Sequence, residues 1–533
     1  MDWNKFYDRY KDKKRVFNVN ILKDFFPEDD EPNEEETKEW EKRFNSLLPS
    51  WIRYSIKRKD NENGVSYKLS YEVIQHIYIR EYRNKNHIET FQTNLNGCRY
   101  NEKNGTWSML NENVLQRAFR SEFQTDLGKY GIEHISDINK ILNPSVQPYV
   151  TSVYNPKIEN PVDAQKKKLV AFRNGTFNFE TGTLEKHKEN NYLFNTHNYE
   201  ISEGETPETD SLLNAMMGEE SALFLKEFIG YCFYHSYDIA PLIVFFHGEG
   251  GEGKSELFNY ITGDIIGEDN RASVSPQTLS SENDRFAGVD LYLKEINAYD
   301  DLNFQEMKDV GVLKSLTGNG SGFRVQQKGE KAFKMQNYAK CLWSCNRLPM
   351  IDPRNIDRAL TDRLNVIEFI NGDTRNENKE FWIEHSMDKV KAEKPMFVYK
   401  CLMEFTKVYH KHFEKGGNTF DVPDVVKKNT AKWLGNSDKY KLFIDDMAEH
   451  NTAIFATGTV DIKSAFKEYQ NWCEENKFQA IGTRISFQEG MKRNGWEYRE
   501  LNAKEKKKTG LNDRSRRLIN TAWINKHGTV YDN

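Results

Sequence analysis

The stretch "IVFFHGEGGEGKSELFNY", residues 243 to 260, sets four glycines, a lysine and a serine between an apolar run and an amphipathic one. Leu242 to Phe246 predict a short buried strand. Ser255 to Ile261, with Leu257, Phe258 and Ile261 at helical spacing, predict a helix opening straight after the glycines. Between them Gly248, Gly253, Lys254 and Ser255 match G-x-x-x-x-G-K-[ST] in the strand, loop and helix context the motif requires. Glycines let backbone N–H groups turn inward around phosphate oxygens, and a helix N-terminus adds partial positive charge. The phosphate-binding set is therefore Gly248, Gly250, Gly251, Gly253, Lys254, Ser255 and Glu256. Lys254 is expected to reach the β- and γ-phosphates as a point charge and the Ser255 hydroxyl to ligate Mg²⁺, so ATP and Mg²⁺ are the implied ligands. Glu249 and Glu252 occupy free positions of the motif, and their side chains are expected to point away from the polyphosphate.

Length and composition narrow what surrounds this loop. A chain of 533 residues predicts three or four domains, each able to bury a core. Six scattered cysteines with no signal peptide ahead of them suggest a reducing, cytoplasmic setting. No apolar run approaches a membrane span. The formal net charge of −5 does not by itself suggest nucleic acid, but its distribution does. Residues 28 to 41, "EDDEPNEEETKEWE", form a strongly acidic, solvated stretch. Residues 484 to 526 hold twelve Lys or Arg against five Asp or Glu, which leaves that segment at +7 and the remainder at −12.

Along the chain, the first 145 or so residues mix aromatic-rich helical patterns with polar turns, and no site is legible there. "LVAFRNGTFNFETGTL" (169 to 184) predicts a hairpin turning at Thr181-Gly182, and "SEGETPETD" (202 to 210) a linker. Downstream of the glycines, "VDLYLKEINAY" (289 to 299) predicts a strand whose tip carries Glu295, an acid able to polarise an attacking water and to join Ser255 on the metal. "AKCLWSCNRLPMID" (339 to 352) predicts an apolar strand with Asn346 at its tip, an amide able to hold the same water. Cys341 and Cys345 lie in that strand without a matching second pair, so they are packing residues and not zinc ligands. "DRALTDRLNVIEF" (357 to 369) places Arg358 and Arg363 before another buried strand, and either can serve as an arginine finger to a neighbouring subunit's ATP.

The order of these motifs, with "S-x-N-x-x-P", "D-R-L-x-V-I-x-F" and the upstream "FRNGTFNFETGTLEKH", resembles the superfamily III helicases of phage and plasmid primase-helicases, related to the poxvirus type. Within that family the resemblance is nearest to replication initiators of phage-related mobile pathogenicity islands, and it covers roughly residues 165 to 530. Two departures stand out. The family loop usually carries Asn where this chain has Glu252, and Lys294 stands where a second acid often precedes Glu295.

The resemblance implies an α/β fold: an AAA+-type ATPase core at 211–375, a helical lid and connector at 376–440, a hairpin segment and linker at 161–210, an α+β accessory region at 1–160 and a winged-helix domain at 441–533. It implies a ring, expected to be a hexamer, with ATP between subunits, unwinding DNA after binding a replication origin, with host replication proteins as further candidate partners. In such rings a hairpin grips one DNA strand by its phosphates. "FRVQQKGEKAFKM" (323 to 335) has that form, with Arg324, Lys328 and Lys331 on it and Lys314 on the preceding helix. At the C-terminal end, helices over 460–474 and around Lys492 and Arg493, a basic wing carrying Lys506, Lys507 and Lys508, and a final strand "LINTAWIN" predict a duplex-binding winged helix. Two other readings stay open: a bifunctional primase-helicase, and an origin-binding protein switched by ATP without helicase turnover.

Overall fold

The computed structural model describes residues 33–46, 48–58, 65–70, 77–90, 97–110, 112–130, 132, 164–279, 287–302, 306–307, 310–318, 323–326, 333–351, 355–374, 380–418, 420–435, 437–449, 457–476, 482–512 and 514–527. Two compact units divide the chain, one formed by Met1–Lys166 with Lys186–Thr196 and the other by Lys167–Glu185 with His197–Asn533.

In the first unit, α1 (Glu34–Ser46) is followed by the antiparallel pair β1 (Tyr54–Arg58) and β2 (Val65–Leu69). Then come α2 (Ile79–Lys85), the antiparallel sheet β3 (Ile88–Thr90), β4 (Gly97–Asn101) and β5 (Thr106–Leu110), and α3 (Glu112–Lys129). Trp107 of β5 is almost fully buried, stacks on Tyr192 at 5.3 Å and donates its indole N–H to the Glu189 carbonyl. An aromatic core of this kind supplies large buried area at low side-chain entropy.

The second unit begins with β6 (Leu169–Phe172), β7 (Gly175–Asn178) and β8 (Thr183–Glu185), an antiparallel meander; the two-residue β9 (Thr196–His197), whose His197 belongs to this unit, extends the sheet beside β6. The hairpin expected from sequence is thus two hairpins, because Arg173-Asn174 turn the chain as well as Thr181-Gly182. Helices α4 (Pro207–Met217) and α5 (Glu219–Cys232) follow. After them the chain runs through β10 (Ile243–His247), α6 (Lys254–Asn259), β11 (Arg271–Ala272), β12 (Ile296–Tyr299), β13 (Glu306–Met307) and α7 (Gly311–Leu316). It continues with β14 (Phe323–Val325), β15 (Phe333–Met335), β16 (Lys340–Cys345), β17 (Met350–Ile351), α8 (Arg358–Thr361) and β18 (Leu364–Glu368).

Five of these strands form one sheet in the order β11-β12-β16-β10-β18, and every neighbouring pair is parallel. Parallel strands covered on both faces read as unbroken apolar runs, and "IVFF" in β10 and "CLWSC" in β16 are fully buried accordingly. The strand that comes first along the chain lies between the fourth and the last. The strand order therefore reverses at β10, and ligands of open parallel sheets bind beyond the C-terminal strand ends at such a switch point.

Helix α9 (Lys394–Lys415) packs along α5, burying Phe397, Val398, Cys401, Leu402 and Phe405 in the same core as the sheet. Gly230 of α5 permits the approach, since a Cβ there would lie 2.2 Å from the Cys401 carbonyl oxygen. The segment expected as a helical lid is helical here, and the apolar stripe of α9 is buried within this unit. Helix α10 (Asp424–Gly435) covers β18, with Trp433 reaching the Pro349 carbonyl.

The C-terminal part has its own core around Phe443, Tyr469, Phe487 and Trp496. Its order is α11 (Lys439–Glu449), β19 (Thr459–Val460), α12 (Ile462–Glu475), α13 (Arg484–Arg493), β20 (Glu497–Arg499), α14 (Ala503–Thr509), β21 (Arg517–Ile519) and α15 (Thr521–His527). The antiparallel sheet runs β19-β21-β20. Two expectations are corrected here. The lysines placed on an extended wing lie on helix α14, because Asn502 and Glu505 form a capping box at its start and Gly510, at φ +71°, ends it. The expected last strand stops at Ile519, because the Asn520 side chain accepts the Trp523 N–H and opens α15. Among the described residues no helix is long and apolar enough to cross a membrane.

Candidate functional site

The glycine-rich loop leaves the C-terminal end of β10 and enters α6 at Lys254. Gly250, Gly251 and Gly253 take φ of +111°, +97° and +86°, a region that side chains with a Cβ rarely adopt, which is why the loop needs glycine here. Gly253 is also pressed by Trp382, whose ring would meet an added Cβ at 2.3 Å. The strap after β18 holds the loop from outside. Thr374 donates to the Gly251 carbonyl from both its N–H (3.0 Å) and its hydroxyl (2.6 Å), Asn371 donates to the Glu252 carbonyl at 2.9 Å, and the Trp382 indole donates to Thr374 Oγ1 at 3.0 Å.

Lys254 is buried, and its ammonium makes three bonds: to the Gly248 carbonyl at 3.2 Å, to Glu252 Oε2 at 3.0 Å and to Asn346 Oδ1 at 3.0 Å. The structure thus brings Lys254 and Asn346 together from adjacent parallel strands. Ser255 and Glu256 are exposed at the helix start. Glu249 is exposed, as expected. Glu252 is not: it is 4 % exposed and folds into the loop, where its carboxylate accepts the Gly250 N–H at 2.8 and 3.0 Å. Burial raises its carboxyl, but the backbone N–H groups and Lys254 outweigh burial and hold it below the ordinary carboxylate range.

Glu295 is not at this site. The sequence reading ended its strand at Glu295, whereas β12 begins one residue later, at Ile296. Ile296 pairs with Lys340, the first residue of β16, so Glu295 stands at the N-terminal edge of the sheet. Asp301 lies six positions further along the chain, about 20 Å at ~3.3 Å per position. Glu295 is fully buried, with its Oε1 bonded to His235 Nε2 at 3.0 Å and His197 Nε2 at 3.2 Å. Burial raises the Glu295 carboxyl, but the two imidazoles outweigh it and bring it down to about 2. Lys340, also fully buried beside it, donates to the Tyr234 and Tyr338 carbonyls at 2.7 and 2.8 Å and lies 4.2 Å from the Tyr231 ring centre, and burial pushes its ammonium down to about 7.

The acids that the sequence reading passed over are Asp300 and Asp301, which directly follow Tyr299 at the C-terminal end of β12. Tyr299, Trp343 and Phe245 share one level across the three strands, so this pair emerges where Gly248 leaves β10 and Asn346 leaves β16. Asp301 has φ +58°, unusual for a residue with a Cβ, and its side chain is exposed. The signal was present as two acids closing "INAYDD"; it was missed because the strand was placed several residues too early.

The two finger candidates separate cleanly. Arg363 is tied within its own chain, with Nε on Thr317 Oγ1 at 2.9 Å and Nη1 on the Ala359 carbonyl. Arg358 has a side chain 94 % exposed and, among the described residues, a 3.6 Å approach to Asp362. Lys314, expected to assist DNA contact, is paired with Asp357 Oδ2 at 2.6 Å, and Asp357 also caps α8. The arms of the expected hairpin pair as Phe323↔Met335, Arg324↔Lys334 and Val325↔Phe333, while Lys328 and Lys331 and the Arg324 side chain lie outside the described residues. On α13 Lys492 is exposed, whereas the Arg493 guanidinium sits 5.7 Å from the Tyr440 ring centre. On α14 Lys507 is exposed, Lys506 is half-buried, and Lys508 bonds Asn525 Oδ1 at 2.7 Å. All six cysteines are free and buried. Among the described residues no group of three or more His, Cys, Asp or Glu is arranged to hold a metal ion by itself.

A model of a family of unknown function, DUF5906, matches residues 246–359, from the end of β10 to α8. No curated protein matches. Among solved structures the chain is similar to the A-form apo structure of the NrS-1 C-terminal region, at 13 % identity and TM-score 0.42, over 83 % of this chain and 98 % of that one. Two further apo structures of the same region, residues 305–718, give 14 % identity and TM-scores of 0.38 and 0.39, with the same coverage of both chains.

Proposed function

We propose that this chain hydrolyses ATP at the glycine-rich loop and uses the cycle to move on and unwind DNA as a helicase and replication initiator of a phage or mobile element. The observation that carries the reading is the convergence at one sheet edge of Lys254, Asn346 and the Asp300/Asp301 pair, from β10, β16 and β12 in turn. The strand order, with the first strand between the fourth and the last, is the arrangement expected of an AAA+-type core.

In this reading the backbone N–H groups of the loop and Lys254 hold the β- and γ-phosphates. Asp300 or Asp301 takes the proton of the attacking water, and Asn346 orients that water. The Ser255 hydroxyl and the Asp300/Asp301 carboxylates are hard oxygen donors that suit Mg²⁺, which when bound neutralises charge on the phosphates. Arg358 is the residue free to reach a neighbouring subunit's ATP in a ring. The C-terminal part supports the DNA half of the proposal: α11, α12 and α13 with the three-stranded sheet in the order β19-β21-β20 are the elements of a winged helix, with α13 in the place of the groove helix, and residues 484 to 526 carry +7 from twelve basic and five acidic residues.

Steady-state ATPase with and without single-stranded DNA tests the reading. DNA-stimulated turnover is expected, and Asp301→Asn is expected to lower it by about 10²–10³-fold, the usual cost of losing one group that acts on the transition state. Turnover at the wild-type rate in both Asp300→Asn and Asp301→Asn overturns the assignment of the acid. A second reading, an ATP-switched DNA-binding protein without sustained turnover, is favoured by one observation, the Glu252 carboxylate inside the loop.

A further inference from the structure

Glu252 stands where an anion is wanted. Its carboxylate receives the Gly250 N–H at 2.8 and 3.0 Å and the Lys254 ammonium at 3.0 Å, and it lies so close over Gly248 that a Cβ there would be 2.8 Å from Oε1. These are the donors, a backbone N–H in a glycine turn and the loop lysine, that the motif offers to a phosphate. The neighbouring Glu249 points to solvent, so the loop backbone does not force acids inward. Asn371 donates to the Glu252 carbonyl at 2.9 Å, a bond to the backbone that does not involve the carboxylate.

Two anions cannot share such a cradle. Like charges a few ångströms apart repel, and more strongly where water is excluded. We propose that Glu252 is a built-in occupant of the phosphate cradle, which a polyphosphate must displace before it binds, and that this residue sets the affinity of the loop for nucleoside di- and triphosphates. The inference rests on the reading of the loop as a nucleotide site. It makes a quantitative demand. If binding requires the carboxylate to swing out, every ligand that fills the cradle pays the same factor, the inverse of the fraction of molecules already open. Simple repulsion from a nearby acid instead weakens ligands in proportion to their charge.

The test titrates the full chain with ATP, ADP and inorganic pyrophosphate in the presence of Mg²⁺ by calorimetry, for wild type, Glu252→Ala and Glu252→Asp, with thermal melts to confirm folding. Glu252→Asp keeps the charge but is one methylene too short to reach the Gly250 N–H and Lys254 together. The expected result is that both variants bind all three ligands more tightly by one common factor, about tenfold or more. Wild-type affinity in Glu252→Asp, with a gain in Glu252→Ala that grows with ligand charge, overturns the proposal in favour of repulsion. Unchanged binding in both variants overturns it outright. Folded protein that binds none of the three ligands in any form overturns the nucleotide reading itself, and the displacement with it.

Discussion

The two ends of the parallel sheet each bury a carboxylate against cationic or proton-carrying groups, and they put that pairing to different use. At the C-terminal edge Glu252 meets Lys254 in a loop whose glycines hold positive φ and whose next residues, Ser255 and Glu256, face solvent. At the N-terminal edge Glu295 meets His197 and His235 with no exposed surface at all, among Phe172, Phe233 and Tyr338. A pair beside solvent can exchange one anion for another, because a ligand phosphate replaces what the carboxylate gave. A pair sealed in the core has no such replacement, so it serves stability. The acid expected to act on ATP thus belongs to the structural end, and the acid expected to point away sits in the cradle.

The largest effects should come from the loop end. Lys254→Ala should abolish turnover. Arg358→Ala should lower it by about 10³-fold or more, the usual worth of an arginine finger. Mixing those two variants should restore part of the rate, because some interfaces then pair an intact loop with an intact finger. A failure to recover at every mixing ratio, together with recovery by Arg363→Ala in the same mixture, would hand the role to the residue bonded in cis.

Next in size is the opposite profile at the other end. Glu295→Gln should destabilise the fold by about 1–3 kcal/mol, the cost of leaving a buried hydrogen-bonding group imperfectly paired, since burial pushes the His235 imidazole down and strands no cation there, while the ATP affinity of the folded protein stays unchanged. The pH dependence carries a definite sign. A carboxyl brought from 4.5 in the unfolded chain to about 2 in the folded one contributes stability that is complete above 4.5 and is lost as the pH falls towards 2. Acid melts of Glu295→Gln should therefore show a shallower decline than wild type between those values. An acid limb as steep as wild type, or Glu295→Gln with native stability and no turnover, would reverse the roles of the two ends.

The smallest effect concerns a third buried carboxylate, Glu505, which accepts from Nη1 and Nη2 of Arg499, each at 2.8 Å, and from the Thr521 hydroxyl at 2.7 Å. This carboxylate is only 3 % exposed, yet it anchors the surface helix that carries Lys506, Lys507 and Lys508. Replacing the three lysines with alanine should weaken duplex binding alike for all sequences and reduce the slope of log K against log salt by up to ~0.9 for each of roughly three contacts. A change in sequence preference instead would place base contacts on α14 rather than on α13.

The glycine-rich loop was legible because its chemistry is contiguous: strand, turn and helix start within eighteen residues, and the positive φ values demand the glycines that announce them. Asn346 was legible for a related reason, as the polar residue that ends an unbroken buried strand. The length of a strand is less legible. Residues 287–291 form a 3-10 turn and Leu293 takes φ +57°, so the apolar letters that suggested a strand from 289 belong to the approach to it. That shift moved the acid of interest from Glu295 to Asp300 and Asp301.

What the sequence by itself determined is the local syntax: the loop, the parallel strands as apolar runs, the helices of the C-terminal part and the positive charge upon it. Tertiary structure alone decided which charges meet. Lys254 found Asn346, Arg363 found Thr317, Lys314 found Asp357, and two histidines 38 positions apart closed on Glu295. Backbone conformation follows from neighbours along the chain, whereas the partner of a charge is fixed by strand order and register, which join residues distant in sequence.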